Sequence, residues 1–284
     1  MAEPADAIGR DRQVKALDAS GRLGTAGRYW INKHLPLVAC RYLPRRGLRV
    51  LDIGCGDGPY YRMLEGAGLE GTYLGIDLKP SEFWEHAAGR PSGLSARFAV
   101  WDAHRIESLG QTFNAVISVT AFEHFRADRS VMKSLSRVLE VGGHALVIVP
   151  SGYGSLVWGF RHGYRKYNPR RFASLLDGTS LRLVETIPAG AAPSLVVNGL
   201  WYGASGLVGR AIRLAAYAAH LGDRKAAQAA HPWVKDAVAR VQFGHLRFAL
   251  GRELHGRLND VLYGADERVR VCPTQWLFVL RRDS

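Results

Sequence analysis

The sequence predicts an α/β fold built on a mainly parallel sheet of seven strands. Seven short runs rich in apolar and β-branched residues have strand character, and helical stretches separate most of them, which is the pattern of successive βαβ units. The runs are LRVLDIG (48–54), TYLGID (72–77), ARFAVWD (96–102), FNAVISV (113–119), HALVIVP (144–150), LRLVETI (181–187) and QWLFVLRR (275–282). The last run follows the sixth by about 85 residues, so an insert before the final strand is also expected.

The positions of these runs divide the chain into four segments. Residues 1–46 are expected to form an N-terminal helical segment, 47–187 the ligand-binding core, 188–270 a mostly helical insert and 271–284 the last core strand. Within the core, helices are predicted over 59–67 and 129–139, and the paired glycines of EVGGH (140–144) are expected to cap the second helix.

The insert opens with an uncharged run over residues 186–209, long enough to raise the question of a membrane span. Its prolines and glycines argue against a span, and charged residues resume at Arg210. From residue 205 onward apolar residues recur at helical spacing, which predicts an amphipathic helix, and a second helical tract is predicted over 233–262.

Composition and charge restrict the class of protein. The 284 residues are 47% hydrophobic, enough for a sizeable core, and the acidic start MAEPADAIGR has no apolar leader, so a cytoplasmic location is expected. Cys40, Cys55 and Cys272 lack the spacing of a disulfide framework or a zinc site, so reduced cysteines and no metal are expected. The net charge of +13 would suit nucleic acid, an anionic membrane or an acidic substrate.

That charge is distributed unevenly along the chain. Residues 50–125 contain ten carboxylates and five Lys or Arg, whereas residues 151–284 contain nineteen Lys or Arg and nine carboxylates. The two regions are therefore expected to face different ligands.

The glycine-rich stretch DIGCGDG (52–58) follows the first predicted strand and precedes a helix. Its G-x-G-x-G spacing differs from the dinucleotide fingerprint G-x-G-x-x-G, whose helix N-terminus holds a pyrophosphate. Asp77 ends the second strand about 20 residues later, where a carboxylate can accept hydrogen bonds from a ribose, and Asp102 ends the third. Three aspartates at one edge of the sheet favour a ribose-bearing cation such as S-adenosylmethionine over a polyphosphate such as NAD.

Five stretches in order, VLDIGCGDG, YLGIDLKP, FAVWDA, FNAVISVTAFEHF and VLEVGGHALVIVP, resemble the successive motifs of class I S-adenosylmethionine-dependent methyltransferases. They most resemble the small-molecule subgroup related to ubiquinone-type enzymes. The resemblance covers about residues 48–190 and the last strand, and it implies a Rossmann-like sheet. The insert before the last strand departs from the smallest members of that family.

The resemblance also implies a set of cofactor contacts. In that family the loop from Asp52 to Gly58 wraps the methionine end of the cofactor, Asp77 holds the ribose and Leu78 packs on the adenine. Asp102 and the backbone of Ala103 would read the adenine edge, and Ser118 would lie near the sulfonium. The expected cofactor-binding set is Asp52, Gly54, Cys55, Gly56, Asp57, Gly58, Asp77, Leu78, Asp102, Ala103 and Ser118. From the residues alone, Asp57 could equally be a solvated or capping side chain, and Cys55 is expected to be a small filler.

Candidate acceptor residues follow the fourth and fifth strands. Glu123 and His124 are the expected catalytic pair, with the histidine as general base, although the pair could instead only orient its loop. In RHGYRKYNP (161–169), four side chains could bind an anionic or phenolic acceptor or form a solvated basic loop. They are His162, Tyr164, Arg165 and Tyr167.

The expected function is transfer of a methyl group from S-adenosylmethionine to a small molecule, with oxygen as the expected target. Secondary metabolite, quinone, or glycan and lipid biosynthesis would supply such an acceptor. The insert could serve as an acceptor lid over a hydrophobic pocket, contact anionic lipid at a membrane surface, or pack as an ordinary helical cap. The alternatives are an RNA methyltransferase, suggested by the net charge, and a non-catalytic S-adenosylmethionine-binding protein; no nucleic-acid partner is expected.

Overall fold

The computed structural model describes residues 26–87, 93–154, 163–219 and 247–284. These form a seven-stranded sheet in the order β3-β2-β1-β4-β5-β7-β6, in which β7 runs antiparallel to both its neighbours. The strands are β1 (Leu48–Ile53), β2 (Gly71–Asp77), β3 (Leu94–Val100), β4 (Phe113–Val119), β5 (Leu139–Pro150), β6 (Leu181–Ala189) and β7 (Gln275–Arg282). The predicted fold class, a Rossmann-like and mainly parallel sheet, is therefore confirmed, and all seven runs form the expected strands.

Helices flank the sheet, and two of those that the structure describes lie in the insert between β6 and β7. The described helices are α1 (Ala26–Tyr42), α2 (Pro59–Gly66), α3 (Trp84–Ala87), α4 (Asp128–Val138), α5 (Pro169–Ala173), α6 (Ala192–Ala219) and α7 (Arg247–Val269). Short 3₁₀ segments lie at Ala103–Leu109, Phe122–His124 and Ser174–Leu176. The helix predicted from residue 59 begins there because Pro59 fixes the first helical φ, and Gly58 precedes it in the left-handed region.

The core is divided by the sheet into two apolar clusters. One cluster contains α1 and α2 residues such as Trp30, Leu35 and Leu64, packed on side chains of β1, β2 and β4. The other contains α4 residues such as Val131 and Leu135 on the opposite face. Because β1 and β4 are covered on both faces, their sequences are almost continuously apolar rather than alternating.

The paired glycines after α4 differ from the expected helix cap. Gly142 and Gly143 lie inside β5, which begins at Leu139 directly after the helix. Pairing with β4 is irregular between Phe113 and Ala115 at this point. A Cβ on Gly143 would lie 2.9 Å from Asn114 O, so the glycine allows two backbones to approach.

The insert also departs from the predicted pattern. Its first helix, α6, begins at Ala192, so most of the uncharged run expected to precede a helix is itself helical. Leu207, Ala211 and Ala215, which belong to the predicted apolar face, are exposed. Part of the second predicted tract, residues 233–246, lies outside the described residues, and α7 covers the rest. Among the helices described, none is long and apolar enough to cross a bilayer.

Candidate functional site

A cleft of about 440 Å³ opens at the carboxyl ends of β1, β2 and β4, the edge where open α/β sheets bind ligands. It is lined by residues of α1, the glycine loop, the ends of β2 and β4, and the loops that follow β3 and β4. They are Arg28, Gly54, Cys55, Gly56, Asp57, Pro59, Tyr60, Ile76, Asp77, Leu78, Trp101, Ala103, Val119, Thr120, Ala121, His124 and Phe125. Seven of the eleven predicted cofactor contacts and one of the two predicted catalytic residues therefore lie in one cavity.

The glycine loop uses most of its backbone N–H groups in hydrogen bonds within the protein. Four of them are already hydrogen-bonded. These are Gly54 N and Cys55 N to Ile76 O at 2.9 and 3.0 Å, Gly56 N to Asp77 Oδ2 at 3.0 Å, and Gly58 N to Cys55 O at 2.9 Å. A phosphate-binding loop needs such donors free, so this loop presents a bare Cα surface that suits a ligand without phosphates.

The conformation of the loop requires its glycines. Gly54, Gly56 and Gly58 all have positive φ, between 53° and 74°. A Cβ on Gly58 would lie 2.7 Å from the Phe98 ring. Gly58, predicted among the cofactor contacts, does not line the cleft; it precedes α2 with a φ of 74° and shapes the turn into that helix. Trp84 holds the loop from outside, since its Nε1 donates to Gly56 O at 2.8 Å.

Two predicted carboxylates lie at the cleft. Asp77 Oδ2 accepts from Gly56 N, and its carboxylate stands at the end of β2, where the ribose contact is predicted. Asp57 accepts from the Ser81 hydroxyl at 2.8 Å. The structure thus places both at the lining and leaves the ribose role of Asp77 as a prediction.

Asp52 occupies a different position from the one predicted. It is fully buried beneath the loop and does not line the cleft. Tyr73 donates a hydrogen bond to Oδ2, and Oδ1 has no partner among the described groups. Burial raises the pKa of Asp52 to about 7, against the opposing effect of the Tyr73 hydrogen bond. Any influence of Asp52 on a ligand is therefore through the loop and its charge, not by direct contact.

Cys55 behaves as the predicted small filler. Its side chain is buried, with Sγ close to where a Cβ on Gly75 would lie. Burial raises the pKa of the thiol, so the nucleophilic thiolate is disfavoured.

The wall after β3 contains Trp101, Asp102 and Ala103. Trp101 and Ala103 line the cleft, and Asp102 lies between them as the cap of a 3₁₀ segment. One oxygen of Asp102 accepts from both His104 N and His104 Nδ1, at 2.9 and 2.8 Å. These bonds lower the pKa of Asp102, so its side chain is held as a carboxylate beside the cleft, although Asp102 is not itself a lining residue and its adenine contact stays a prediction.

Ser118 was predicted to contact the cofactor, but it does not line the cleft. It is fully buried in β4 and donates to Ile53 O at 2.8 Å. The next residues line the cleft instead, and Thr120 has a φ of 53°. A β-branched residue rarely adopts positive φ, and such strain is often found at functional sites. No sequence signal marks Thr120, because threonine does not predict that conformation.

Arg28 is a cleft residue that the sequence reasoning missed. It lies in α1, outside every quoted motif, and its guanidinium donates to Tyr60 OH. The guanidinium carbon is also 5.5 Å from the centre of the Tyr60 ring. Arg28 brings a positive charge to a cleft that otherwise contains Asp57 and Asp77. A zwitterionic ligand end, with one carboxylate and one ammonium, fits that combination.

The predicted catalytic pair, Glu123 and His124, lies in the 3₁₀ segment that follows β4. His124 lines the cleft and is about half exposed, whereas Glu123 is 1% exposed and lies behind it, 4.0 Å from His124 Nε2. Burial lowers the pKa of His124, with a smaller effect from Lys166, so the neutral base is favoured near pH 7. Burial raises the pKa of Glu123 to about 7, and neither of its oxygens has a hydrogen-bond partner among the described groups.

The predicted acceptor residues of the basic loop have separate positions. Tyr164 is exposed, and Arg126 Nε donates to its hydroxyl at 3.2 Å. Arg165 donates to the carbonyls of Phe125 and Arg126, at 2.7 and 2.8 Å, so its guanidinium fixes the loop after β4.

Tyr167 and His162 complete that predicted set. Tyr167 is 1% exposed and donates to Asp128 Oδ2 at 2.9 Å, which corrects its expected role as a substrate contact. His162 lies outside the described residues. In the described part of the chain, no group of three His, Cys, Asp or Glu side chains could hold a metal ion.

The fold agrees with that of solved class I enzymes and their relatives. A [4+2]-cyclase, SpnF, superposes with a TM-score of 0.52 at 15% identity, over 89% of this chain and 81% of that one. At this identity the likeness concerns the fold. Because that protein is a cyclase, the fold alone does not specify the reaction.

Residues 50–143 match the family described as a methyltransferase domain. A 2-methyl-6-phytyl-1,4-hydroquinone methyltransferase of Synechocystis is 34% identical over 102 residues, 36% of this chain and 31% of that protein. A ubiquinone biosynthesis O-methyltransferase of Brucella anthropi is 28% identical over 163 residues, 51% of this chain and 64% of that protein. Residues 50–143 are thus similar to a methyltransferase domain, as the motifs predicted, and S-adenosylmethionine is the cofactor that this similarity indicates.

The matched stretches span less than two thirds of these relatives. The family match, residues 50–143, runs from β1 into β5 and does not include the insert before β7. The match therefore fixes the domain and leaves the acceptor of this chain to be argued from its own residues.

Proposed function

We propose that the chain transfers the methyl group of S-adenosylmethionine to an oxygen of a small-molecule acceptor. The single observation that carries the proposal is the composition of the cleft. It joins a glycine loop whose amides are internally bonded, the carboxylates of Asp57 and Asp77, and the guanidinium of Arg28. A polyphosphate would find few free donors there, whereas a cationic adenosyl amino acid matches both signs of charge.

Bound S-adenosylmethionine supplies an activated methyl group. The residues of this chain would hold its ribose at Asp77, its adenine edge at Asp102 and its carboxylate at Arg28. Closely packed apolar and glycine surfaces around these groups would exclude water and align the acceptor, which is the main contribution an enzyme makes to an in-line displacement.

His124 is the residue proposed to take the proton from an acceptor hydroxyl. Its imidazole lines the cleft and its pKa is lowered by burial, so the neutral, basic form of the ring is favoured near pH 7. Glu123 lies within 4.0 Å of its Nε2 and would stabilise the imidazolium that forms. Replacement of His124 by Ala is expected to lower kcat about a hundredfold while cofactor affinity is unchanged.

The acceptor is proposed to be hydrophobic and phenolic or quinol-like. The two relatives described above are named for hydroquinone and ubiquinone chemistry, and the acceptor end of the cleft contains Phe125 beside His124. A search for a mass increase of about 14 Da in phenols, quinols, sugars and acids incubated with the protein and S-adenosylmethionine tests the acceptor class.

Calorimetry tests the cofactor part of the proposal separately. Wild-type protein is expected to bind S-adenosylmethionine, and Asp77→Ala is expected to weaken binding at least tenfold because a ribose contact to a carboxylate is lost. Absence of binding by the wild type, or undiminished binding by Asp77→Ala, would contradict it. Methyl transfer to none of the compounds would leave cofactor binding intact but remove the proposed acceptor class.

Peripheral contact of a cytoplasmic protein with an anionic membrane is proposed for helix α6. Among the α6 side chains whose burial is described, the exposed ones extend about 30 Å along the helix at 1.5 Å per residue. They are Val196, Leu200, Gly203, Ala204, Leu207, Ala211 and Ala215. Polar side chains are instead buried between α6 and α7, including Ser194, Asn198 and Asn259. Residues 188–270 contain eleven Lys or Arg and six Asp or Glu, which complements anionic headgroups.

Sedimentation with vesicles tests this contact. The protein is expected to pellet with phosphatidylglycerol vesicles more than with phosphatidylcholine vesicles, and Leu200→Glu with Leu207→Glu is expected to abolish pelleting. Leu37→Glu, at a similarly exposed leucine of α1, is the matched control. Equal pelleting by all three proteins, or none by the wild type, would exclude a bilayer as the partner of these exposed residues.

A further inference from the structure

Both ring nitrogens of His104 make hydrogen bonds. Nδ1 lies 2.8 Å from Asp102 Oδ1, and Nε2 lies 3.4 Å from the backbone N of Ala127. A backbone N–H can only donate, so Nε2 must hold a lone pair and Nδ1 must hold the proton in a neutral ring. The hydrogen bonds therefore select one tautomer, in which the ring donates to Asp102 and accepts from Ala127.

The donation fixes one oxygen of Asp102 and leaves the other available. Oδ1 accepts from His104 N as well as from Nδ1, so two donors determine the plane of the carboxylate. The side chain of Asp102 is still 44% exposed, and its two sequence neighbours, Trp101 and Ala103, both line the cleft. Asp102 is not itself a lining residue, but it stands between two that are, and its Oδ2 is the carboxylate oxygen that the His104 contacts leave available as an acceptor.

The other nitrogen reaches the opposite wall of the cleft. Ala127 directly precedes α4 and ends the loop that contains His124 and Phe125. The Phe125 ring, which lines the cleft, meets the His104 ring edge-on with 6.0 Å between centroids. One imidazole therefore joins the wall after β3 to the wall after β4.

We propose that His104 is a positioning residue that sets the purine specificity of the cofactor site, an inference that rests on the proposed use of S-adenosylmethionine. Adenine presents an exocyclic amine, a donor, beside N1, an acceptor. Hypoxanthine reverses this pattern with a carbonyl oxygen beside an N1–H. A carboxylate held in one orientation accepts from the adenine amine and repels the hypoxanthine carbonyl, whereas a carboxylate free to rotate discriminates less.

Calorimetry with S-adenosylhomocysteine and S-inosylhomocysteine measures the preference of the site for adenine over hypoxanthine. The wild type is expected to bind the adenosyl compound at least tenfold more tightly than the inosyl compound. His104→Leu removes both ring contacts and is expected to lower that ratio about tenfold, mainly by weakening adenosyl binding. His104→Asn places a side-chain amide near the position of Nδ1 and is expected to restore most of the ratio without restoring the Ala127 contact.

His144→Leu is the matched control, because His144 is a partly exposed histidine at the start of the β4-paired part of β5 and does not line the cleft. The His144→Leu variant should prefer the adenosyl over the inosyl compound by the same ratio of affinities as the wild type. Thermal melts of each variant identify any that do not fold. If His104→Leu does not fold, His104→Ala, which also removes both ring contacts, takes its place in the comparison with His104→Asn.

An unchanged ratio in a folded His104→Leu variant would overturn the positioning role while leaving the cofactor assignment intact. A wild-type protein that binds neither compound would overturn both. A wild type that binds both equally would remove the specificity role and keep the site as a nucleoside site.

Discussion

Gly54 and Ala121 are in contact across the floor of the cleft: a Cβ built on Gly54 would lie 2.4 Å from the Ala121 Cβ. The first belongs to the loop after β1 and the second to the loop after β4, so their approach brings these two cleft-lining loops together. Gly54 also has a φ of 74°. Two independent requirements, space and backbone conformation, therefore exclude any side chain there.

Gly54→Ala is expected to lower the free energy of unfolding by about 2–4 kcal/mol, because positive φ costs an alanine about 1 kcal/mol and overpacking adds 1–3 kcal/mol. Gly68→Ala is the matched control. Gly68 has the same φ of 74°, and nothing lies within 4 Å of the position that an added Cβ would take, so only the conformational part, about 1 kcal/mol, is expected. Urea unfolding of both variants measures the difference; equal losses would show that the contact with Ala121 costs nothing.

Arg28→Ala is expected to weaken binding of S-adenosylhomocysteine about tenfold or more, because the cleft loses the cation proposed to pair with the amino-acid carboxylate. 5′-Methylthioadenosine has the same nucleoside and no carboxylate, so its affinity should change little. Arg41→Ala, at an exposed arginine of the same helix that pairs with Glu185, is the control for loss of a charge from α1. If both ligands weaken equally, Arg28 acts by holding the shape of the cleft through Tyr60.

The strands and the cofactor loop could be predicted from the sequence because local patterns determine them. Apolar runs such as that of β4 are buried on both faces, and positive φ at the loop glycines is a property of glycine itself. Asp77 was predictable because a strand end fixes its position along the chain. These features depend on residues that are neighbours in sequence.

The positions of the other site residues could not be predicted, because they depend on contacts between segments that are distant in sequence. Arg28 reaches the cleft from α1, which no motif marks, and Ser118 points away from it because of the register of β4. The basic tract around Tyr167 predicts a surface position, yet the Tyr167 hydroxyl donates a hydrogen bond to Asp128, 39 residues earlier. The exposed residues of α6 show the same limit, since helical spacing identifies an apolar face without identifying what that face contacts.

Tyr167→Phe is expected to lower the free energy of unfolding by about 1–2 kcal/mol, because the buried carboxylate of Asp128 loses a hydrogen bond. Arg165 Nε, 3.3 Å from the same oxygen, limits the loss. The KM for the acceptor should stay unchanged, since the ring lies away from the cleft. Tyr164→Phe, at an exposed tyrosine three residues earlier, should leave stability unchanged; a raised KM in Tyr167→Phe with normal stability would restore its role as a substrate contact.

Glu123→Gln is expected to change how stability depends on pH. Burial raises the pKa of Glu123 from 4.5 to about 7 in the folded protein, so between these values the folded state binds more protons than the unfolded state. The contribution of this group to stability is therefore fully present below about pH 4.5 and is lost as the pH rises through 7. Glutamine does not titrate, so the stability of the variant relative to the wild type should rise across that window by up to about 3 kcal/mol.

Glu107→Gln is the control, because the pKa of Glu107 is shifted in the opposite direction from that of Glu123. Hydrogen bonds from Ser134 and then Arg137 lower the pKa of Glu107, so its contribution is present above the pKa of the unfolded state and is lost on acidification. That variant should lose stability relative to the wild type at neutral pH and converge with it in acid. Asp52 has a raised pKa in the wild type and in both variants, so its own titration cancels in each difference. Urea unfolding between pH 4 and 8 measures both trends, and parallel curves for Glu123→Gln and the wild type would mean that Glu123 is ionised in the fold at no cost, with a partner that neutralises it.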